Sequence, residues 1–310
     1  MFKFILQRVL SMILVILIVA SATFFMMRLL PSGPFSREKK LPAQIIKNLE
    51  ARYHLDDPLW KQYVDYMGNL LRFNLGPSFK YTDRTVNNII NDGFPVSAIL
   101  GVVAVILAVG IGIPLGIWGA LKQNGWQDNL VMFIALLGVS VPNFIMAVLL
   151  MFIFALGLHL VPAAGWGSVR QVILPAFTLA GYPIAFIARL VRSSMLEVLR
   201  QEYITTARAK GLSERLVIFR HALRNILIPV VTVLGPLIAA VFTGSFVVEK
   251  IFAIPGLGRY YVTSINDRDY TVILGVTIFY SALLVFMNFL VDLTYAWLDP
   301  RIRYVERKVS

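Results

Sequence analysis

The chain has 310 residues, of which 58% are hydrophobic and only 15% charged, and its mean hydropathy is +0.73. Soluble domains carry about a quarter charged residues, so this apolar excess points to a bilayer rather than to one water-soluble core. The lack of cysteine excludes disulfides, thiolate metal sites and thiol nucleophiles, and the net charge of +12 resides in connections rather than on an aromatic-rich nucleic-acid face.

Uncharged apolar runs of about 18 residues or more read as membrane spans. Six occur, at 9–27, 95–121, 129–158, 172–188, 225–248 and 270–291. The first is too long for the apolar part of a signal peptide and lacks a small-residue cleavage site. After it, residues 31–92 mix charges and Pro-Gly turns with Trp60, Tyr63, Tyr66, Phe73, Phe79 and Tyr81. So many aromatics predict a small folded cap rather than a disordered linker. In the second span Ala108, Gly112, Gly116 and Ala120 recur every fourth residue. This makes a ridge for close helix packing, within the bundle or against a second copy. Pro114, Pro142, Pro175, Pro183 and Gly235-Pro236 interrupt the spans, which is tolerated where neighbours or water satisfy the freed backbone groups. Arg28, Arg189, Glu249 and Asp292 fall at span ends, where snorkelling or helix termination accounts for them. No proton relay can be drawn through the spans.

Basic residues set the orientation. Residues 189–224 hold eight Lys or Arg, the tail adds Arg301, Arg303, Arg307 and Lys308, and the start has Lys3 and Arg8. The connection after the third span carries only Arg170. Both termini are therefore expected in the cytoplasm, as six spans require. The expected organisation is an all-α polytopic membrane protein. It has an N-terminal span (1–30), an extracytoplasmic cap (31–92), a five-helix core (93–298) and a cytoplasmic tail (299–310).

Enzyme signatures are missing. There is no GxxxxGK[ST] loop, His54, His159 and His221 are scattered, and Gly138-Val139-Ser140 has no histidine at similar depth to serve as a base. The informative connection is the cytoplasmic one, at about 192–224. Residues 193–210 contain neither Gly nor Pro and favour helix, Gly211 suits a left-handed C′ position, and Ser213 suits the cap of a second helix with Glu214 in its first turn. Two short helices then meet at an angle, with Thr206, Ala207, Ala209 and Gly211 at the corner. Small side chains there admit the close approach of another protein, while the flanking basic residues equally suit phospholipid head groups.

The stretch Thr206-Ala207-Arg208-Ala209-Lys210-Gly211-Leu212, with Arg220-His221-Ala222-Leu223-Arg224-Asn225 and Pro229, resembles the coupling loop of ABC importer permeases, closest to their peptide and nickel branch. Thr205-Thr206-Ala207 stands where the generic loop has Glu-Ala-Ala, and residues 225–229 begin later than that pattern, departures the peptide branch shares. The similarity extends through Phe24-Phe25-Met26-Met27-Arg28-Leu29, Tyr53-His54-Leu55-Asp56-Asp57-Pro58, Gly76-Pro77-Ser78-Phe79-Lys80-Tyr81, Phe94-Pro95-Val96-Ser97-Ala98, Gly244-Ser245, Glu249, Pro255-Gly256-Leu257-Gly258, Arg268-Asp269-Tyr270 and Leu298-Asp299-Pro300-Arg301-Ile302-Arg303-Tyr304. The early segments are most similar to oligopeptide permease B subunits.

The resemblance implies a type I importer-like permease in the bacterial cytoplasmic (inner) membrane. Two homologous permeases would enclose a pathway, two cytoplasmic ATPases would bind ATP and Mg, and an extracytoplasmic binding protein would deliver peptide. This chain would carry no cofactor of its own. Its docking residues would be Tyr203, Thr206, Ala207, Arg208, Ala209, Gly211 and Leu212, with Ala207→Trp expected to act on docking by bulk alone. The cap would contact the binding protein or the second permease, or serve as a passive lid. A dipeptide or nickel permease of the same branch, and an ion-coupled secondary transporter, are the alternative readings.

Overall fold

The computed structural model describes residues 2–29, 34–35, 43–81, 83–243 and 245–298. The tail 299–310, with Arg301, Arg303, Arg307 and Lys308, lies outside the described residues, as do Ser36 and Gly244. Among the described residues every regular element is a helix: α1 (Phe2–Arg28), α2 (Ala43–Arg52), α3 (Leu59–Leu71), α4 (Val86–Leu121), α5 (Trp126–Ser140), α6 (Asn143–Leu150), α7 (Val169–Leu199), α8 (Glu202–Ala209), α9 (Glu214–Leu216), α10 (Leu223–Thr243), α11 (Ser245–Ile251), α12 (Leu257–Asp267) and α13 (Tyr270–Leu298). A π-helical stretch, Met151–Gly157, follows α6, and a second, Val217–Ala222, joins α9 to α10.

Among the described residues five segments are long and apolar enough to cross a membrane: Ile5–Arg28, Val86–Leu121, Val169–Leu199, Glu214–Phe242 and Tyr270–Leu290. The third expected span is not one rod. It is the pair Trp126–Ser140 and Asn143–Gly157, bent by 112°. The cause is local. Proline excludes the α conformation from the residue before it, and Val141 is extended at φ −89°, ψ 117°. The fourth span is longer than expected, since α7 runs on to Leu199 and holds Arg189 and Arg192 within the helix.

The chain divides into two compact units, residues 1–96 with 255–285, and 97–254 with 286–310. In the first unit Val86, Ile89, Leu257, Val272 and Val276 form a buried cluster, with Tyr81, Phe94 and Tyr260 against it. Within the range expected for the cap, α3 and the turn after α2 pack through aromatic contacts, while 86–92 form the first turns of α4. Phe24 stacks on Tyr66 with ring centroids 5.3 Å apart, and Tyr53 meets Phe79 at 4.7 Å. Phe73 and Trp60 are the exceptions, 84% and 69% exposed.

The second unit is built around α7. Its Ala176, Leu179, Ala180, Ile187, Val191 and Met195 are all buried, and α5, α6 and α10 pack on it. The small-residue ridge of α4 faces the same helix. A Cβ on Gly116 would stand 2.5 Å from the Ala188 carbonyl oxygen, and one on Gly112 would stand 2.9 Å from Ile187 Cβ. The ridge therefore serves packing within this chain, where glycine lets two backbones close up.

Candidate functional site

Helix α8 begins at Glu202, whose carboxylate favours the positive N-terminal end, after Gln201 turns the chain extended at ψ 146°. This break after α7 corrects the expected unbroken helix over 193–210. The C-terminal end of α8 follows the sequence expectation. Gly211 takes φ +77°, its N–H donates to the Arg208 carbonyl at 2.9 Å, and the Leu212 N–H donates to the Ala207 carbonyl at 3.4 Å. That pair of bonds is a Schellman closure, which needs a left-handed residue at Gly211. Nothing lies within 4 Å of a Cβ built on Gly211.

Ser213 then turns the chain into α9, in N-cap conformation but without a side-chain cap bond. The helix it opens is not short, because α9, the π-helical stretch and α10 run together as Glu214–Phe242. Two ties hold α8 against this rod. The Arg208 guanidinium grips Glu214 (Nε to Oε1 2.8 Å, a second nitrogen to Oε2 3.4 Å), and Asn225 Nδ2 donates to the Tyr203 hydroxyl.

The expected docking residues divide by exposure. Tyr203, Thr206, Arg208, Ala209 and Gly211 are exposed and Leu212 is partly so, whereas Ala207 is 5% exposed and faces inward beside the fully buried Ile204. A tryptophan at Ala207 would therefore overpack the base of α8 instead of acting by bulk alone. Thr206 and Ala209 are the positions where added bulk stays outside. Among the described residues no group of His, Asp and Glu could hold a metal ion.

Three buried carboxylates, which hydropathy alone does not single out, join distant segments. Glu249 was expected to terminate a span or snorkel, yet it is 0% exposed. Its Oε1 accepts bonds from the Ser97 and Ser245 hydroxyls, each at 2.7 Å. Asp128, in the first turn of α5, receives the Arg192 guanidinium of α7 on both oxygens and the Asn124 N–H at 3.0 Å. Asp269, just before α13, accepts from the Ser78 hydroxyl, from the N–H groups of Phe79, Lys80 and Val272 at 3.2 Å, and from the Thr271 hydroxyl at 2.9 Å. The motifs 76–81 and 268–270 thus meet at one carboxylate. The signal for Asp269 was its position as a potential N-cap of a long apolar helix.

At the 112° bend a cavity of about 290 Å³ opens in the second unit, lined by Gly138, Val141, Pro142, Tyr182, Pro183 and Leu237. Irregular backbone at membrane depth is tolerated where it lines such a space.

Residues 112–304 match the family described as binding-protein-dependent transport system inner membrane component, and residues 1–101 match the N-terminal part of such components. The chain is 52% identical over 303 residues to the dipeptide transport system permease protein DppB of Bacillus subtilis (strain 168), covering 98% of each. It is 47% identical over 306 residues to the oligopeptide transport system permease protein OppB of Salmonella typhimurium, covering 98% of this chain and 100% of that one. In fold it is similar to a chain of the inward-facing MetNI methionine ABC transporter, with a TM-score of 0.56 at 16% identity over 68% of this chain and 96% of that one.

Proposed function

Because the chain belongs to the family of binding-protein-dependent transport system inner membrane components, we propose that the cargo of this ABC importer permease is peptide. The protein is a multi-pass membrane subunit and not an enzyme. The observation that carries the peptide reading is similarity over 98% of the chain to permeases named for dipeptide and for oligopeptide transport. We assign oligopeptides on the resemblance of the early segments, 53–58 and 76–81 among them, to oligopeptide permease B subunits.

In this reading the chain forms half of the pathway with a second permease, and a binding protein delivers peptide to its outer mouth. Two ATPases hold ATP and Mg, and no cofactor sits on this chain. One ATPase docks on the exposed side of residues 203–212. ATP-driven closure shifts a two-state equilibrium between inward and outward access, and α8 passes the movement to α7 and α10. The support is geometric: the corner is exposed, small-residued and tied to two long helices. Thr206→Trp and Ala209→Trp are expected to abolish copurification of the ATPases, or to keep them bound and stop uptake of a labelled peptide. Arg301→Ala, outside the described residues, is the control and should do neither. Wild-type uptake by both tryptophan variants with ATPases bound would move the docking surface elsewhere.

The same reading places both termini and residues 203–212 in the cytoplasm. The protein has no cysteine, so introduced thiols report without background. Ser264 is 1% exposed, so its exposed neighbour Asn266 is the labelling position. In intact spheroplasts an impermeant maleimide should label Asn266→Cys, and it should label Ser213→Cys only after the membrane is opened. The opposite pattern reverses the orientation.

A further inference from the structure

Helix α3 carries two apolar faces and, among the described residues, has a partner for one. At about 100° per residue, Tyr63, Tyr66 and Leu70 share a face, and Trp60, Val64, Met67 and Leu71 share the next. The first face packs on the last turns of α1. Tyr63 stacks on Phe25 at 5.3 Å and its hydroxyl lies 2.7 Å from Ser21 Oγ. Ser21 already donates to the Leu17 carbonyl, so Tyr63 is the donor. The second face is open, with Trp60 69%, Val64 58% and Leu71 80% exposed. No residue of α3 is fully buried.

Depth decides what covers the open face. Ser21 stands seven residues before Arg28, about 10 Å along the helix axis. Arg28 closes the apolar run of α1, and its guanidinium stands over the Phe24 ring at 5.2 Å. Tyr63 therefore contacts α1 below the charged end of a segment that reads as a membrane span. A helix held at that level has its open side in the boundary layer, where an amphipathic helix sinks its apolar face about 5–10 Å and tryptophan is favoured. The polar side chains of α3, Lys61, Asp65 and Asn69, occupy the remaining arc. Lys61 pairs with Asp57 at 3.0 Å on that side.

We propose that α3 is an interfacial helix, with Trp60, Val64 and Leu71 seated in the lipid surface beside the end of α1. It anchors the cap to the bilayer, and this face is not reserved for a protein partner. The placement requires only that α1 spans the membrane, so it stands or falls independently of cargo and of ATPase docking.

The test uses the full chain, isolated with the subunits that copurify and placed in nanodiscs of phosphatidylethanolamine and phosphatidylglycerol. Single cysteines at 60, 64 and 71, and at 61 and 65 on the polar arc, each receive a nitroxide. Power saturation then compares accessibility to oxygen, which concentrates in lipid, with accessibility to a water-soluble nickel chelate. The oxygen-to-nickel ratio is expected to be several-fold higher at 60, 64 and 71 than at 61 and 65. Equal ratios at all five sites would make the stripe a water-exposed surface. Low accessibility to both reagents at 60, 64 and 71 would mean that protein covers it. Either result overturns the proposal, and the three sites are read separately, so one misfolded variant does not decide it.

Discussion

Asp269→Ala is expected to raise amide hydrogen exchange at Phe79 and Val272 by about 100-fold. The carboxylate is 1% exposed and accepts from five groups. Alanine leaves the Ser78 hydroxyl and the Val272 N–H buried, and the Phe79 N–H half-buried, without their acceptor. A buried polar group that loses its partner costs about 1–3 kcal/mol, and loss of a helix N-cap costs about 1 kcal/mol. The losses share one network and do not add fully, so about 3 kcal/mol is the expected total, or about two decades in local opening. Asp269→Asn keeps one acceptor oxygen and should move exchange by about tenfold. Exchange mass spectrometry of the peptides containing residues 76–81 and 269–273 reads both. Unchanged protection in Asp269→Ala would mean that the loop is held by other contacts.

Arg192→Met should be among the most destabilising single changes in the second unit, and adding Asp128→Leu should reverse most of the loss. The side chain of Asp128 is 3% exposed and that of Arg192 21%. Removing the guanidinium leaves a buried carboxylate with only the Asn124 N–H against it. Breaking such a pair costs about 3–5 kcal/mol, whereas replacing both partners by apolar residues of similar volume is often neutral. The measurement is the temperature at which half of the detergent-purified protein remains monodisperse, for wild type, both single variants and the double. A double variant no more stable than Arg192→Met would show that the arginine acts by packing and not by neutralising Asp128.

Both carboxylates show where sequence reading runs out. Hydropathy located the apolar runs because a bilayer selects on average polarity over about 20 residues, and that average needs no partner. Gly211 was legible because its left-handed turn is a local backbone requirement. The position of the third-span break was legible from Pro142. Its angle was not, because α6 is directed by packing on α7. Glu249 looked like a span terminator because its partner Ser97 is 152 residues away. Arg192 looked like part of a basic connection because Asp128 lies 64 residues earlier. Ala207 looked available because eight residues of α8 are too few for periodicity to reveal an inner side, and Ile204 and Ala207 alone define it.

The junction of α7, α8 and α9 behaves as a bracket. A short strut, α8, is joined to one beam through the turn at Arg200 and Gln201 and strapped to the other by two ties. A load on the strut reaches the second beam through whichever tie is stiffer. The tie at Tyr203 and Asn225 is uncharged and indifferent to electrolyte. The tie at Arg208 and Glu214 joins side chains that are 42% and 61% exposed. An exposed ion pair is screened over about 8 Å at physiological ionic strength and contributes less as salt rises. The bracket should therefore soften on one side in concentrated electrolyte while keeping its shape.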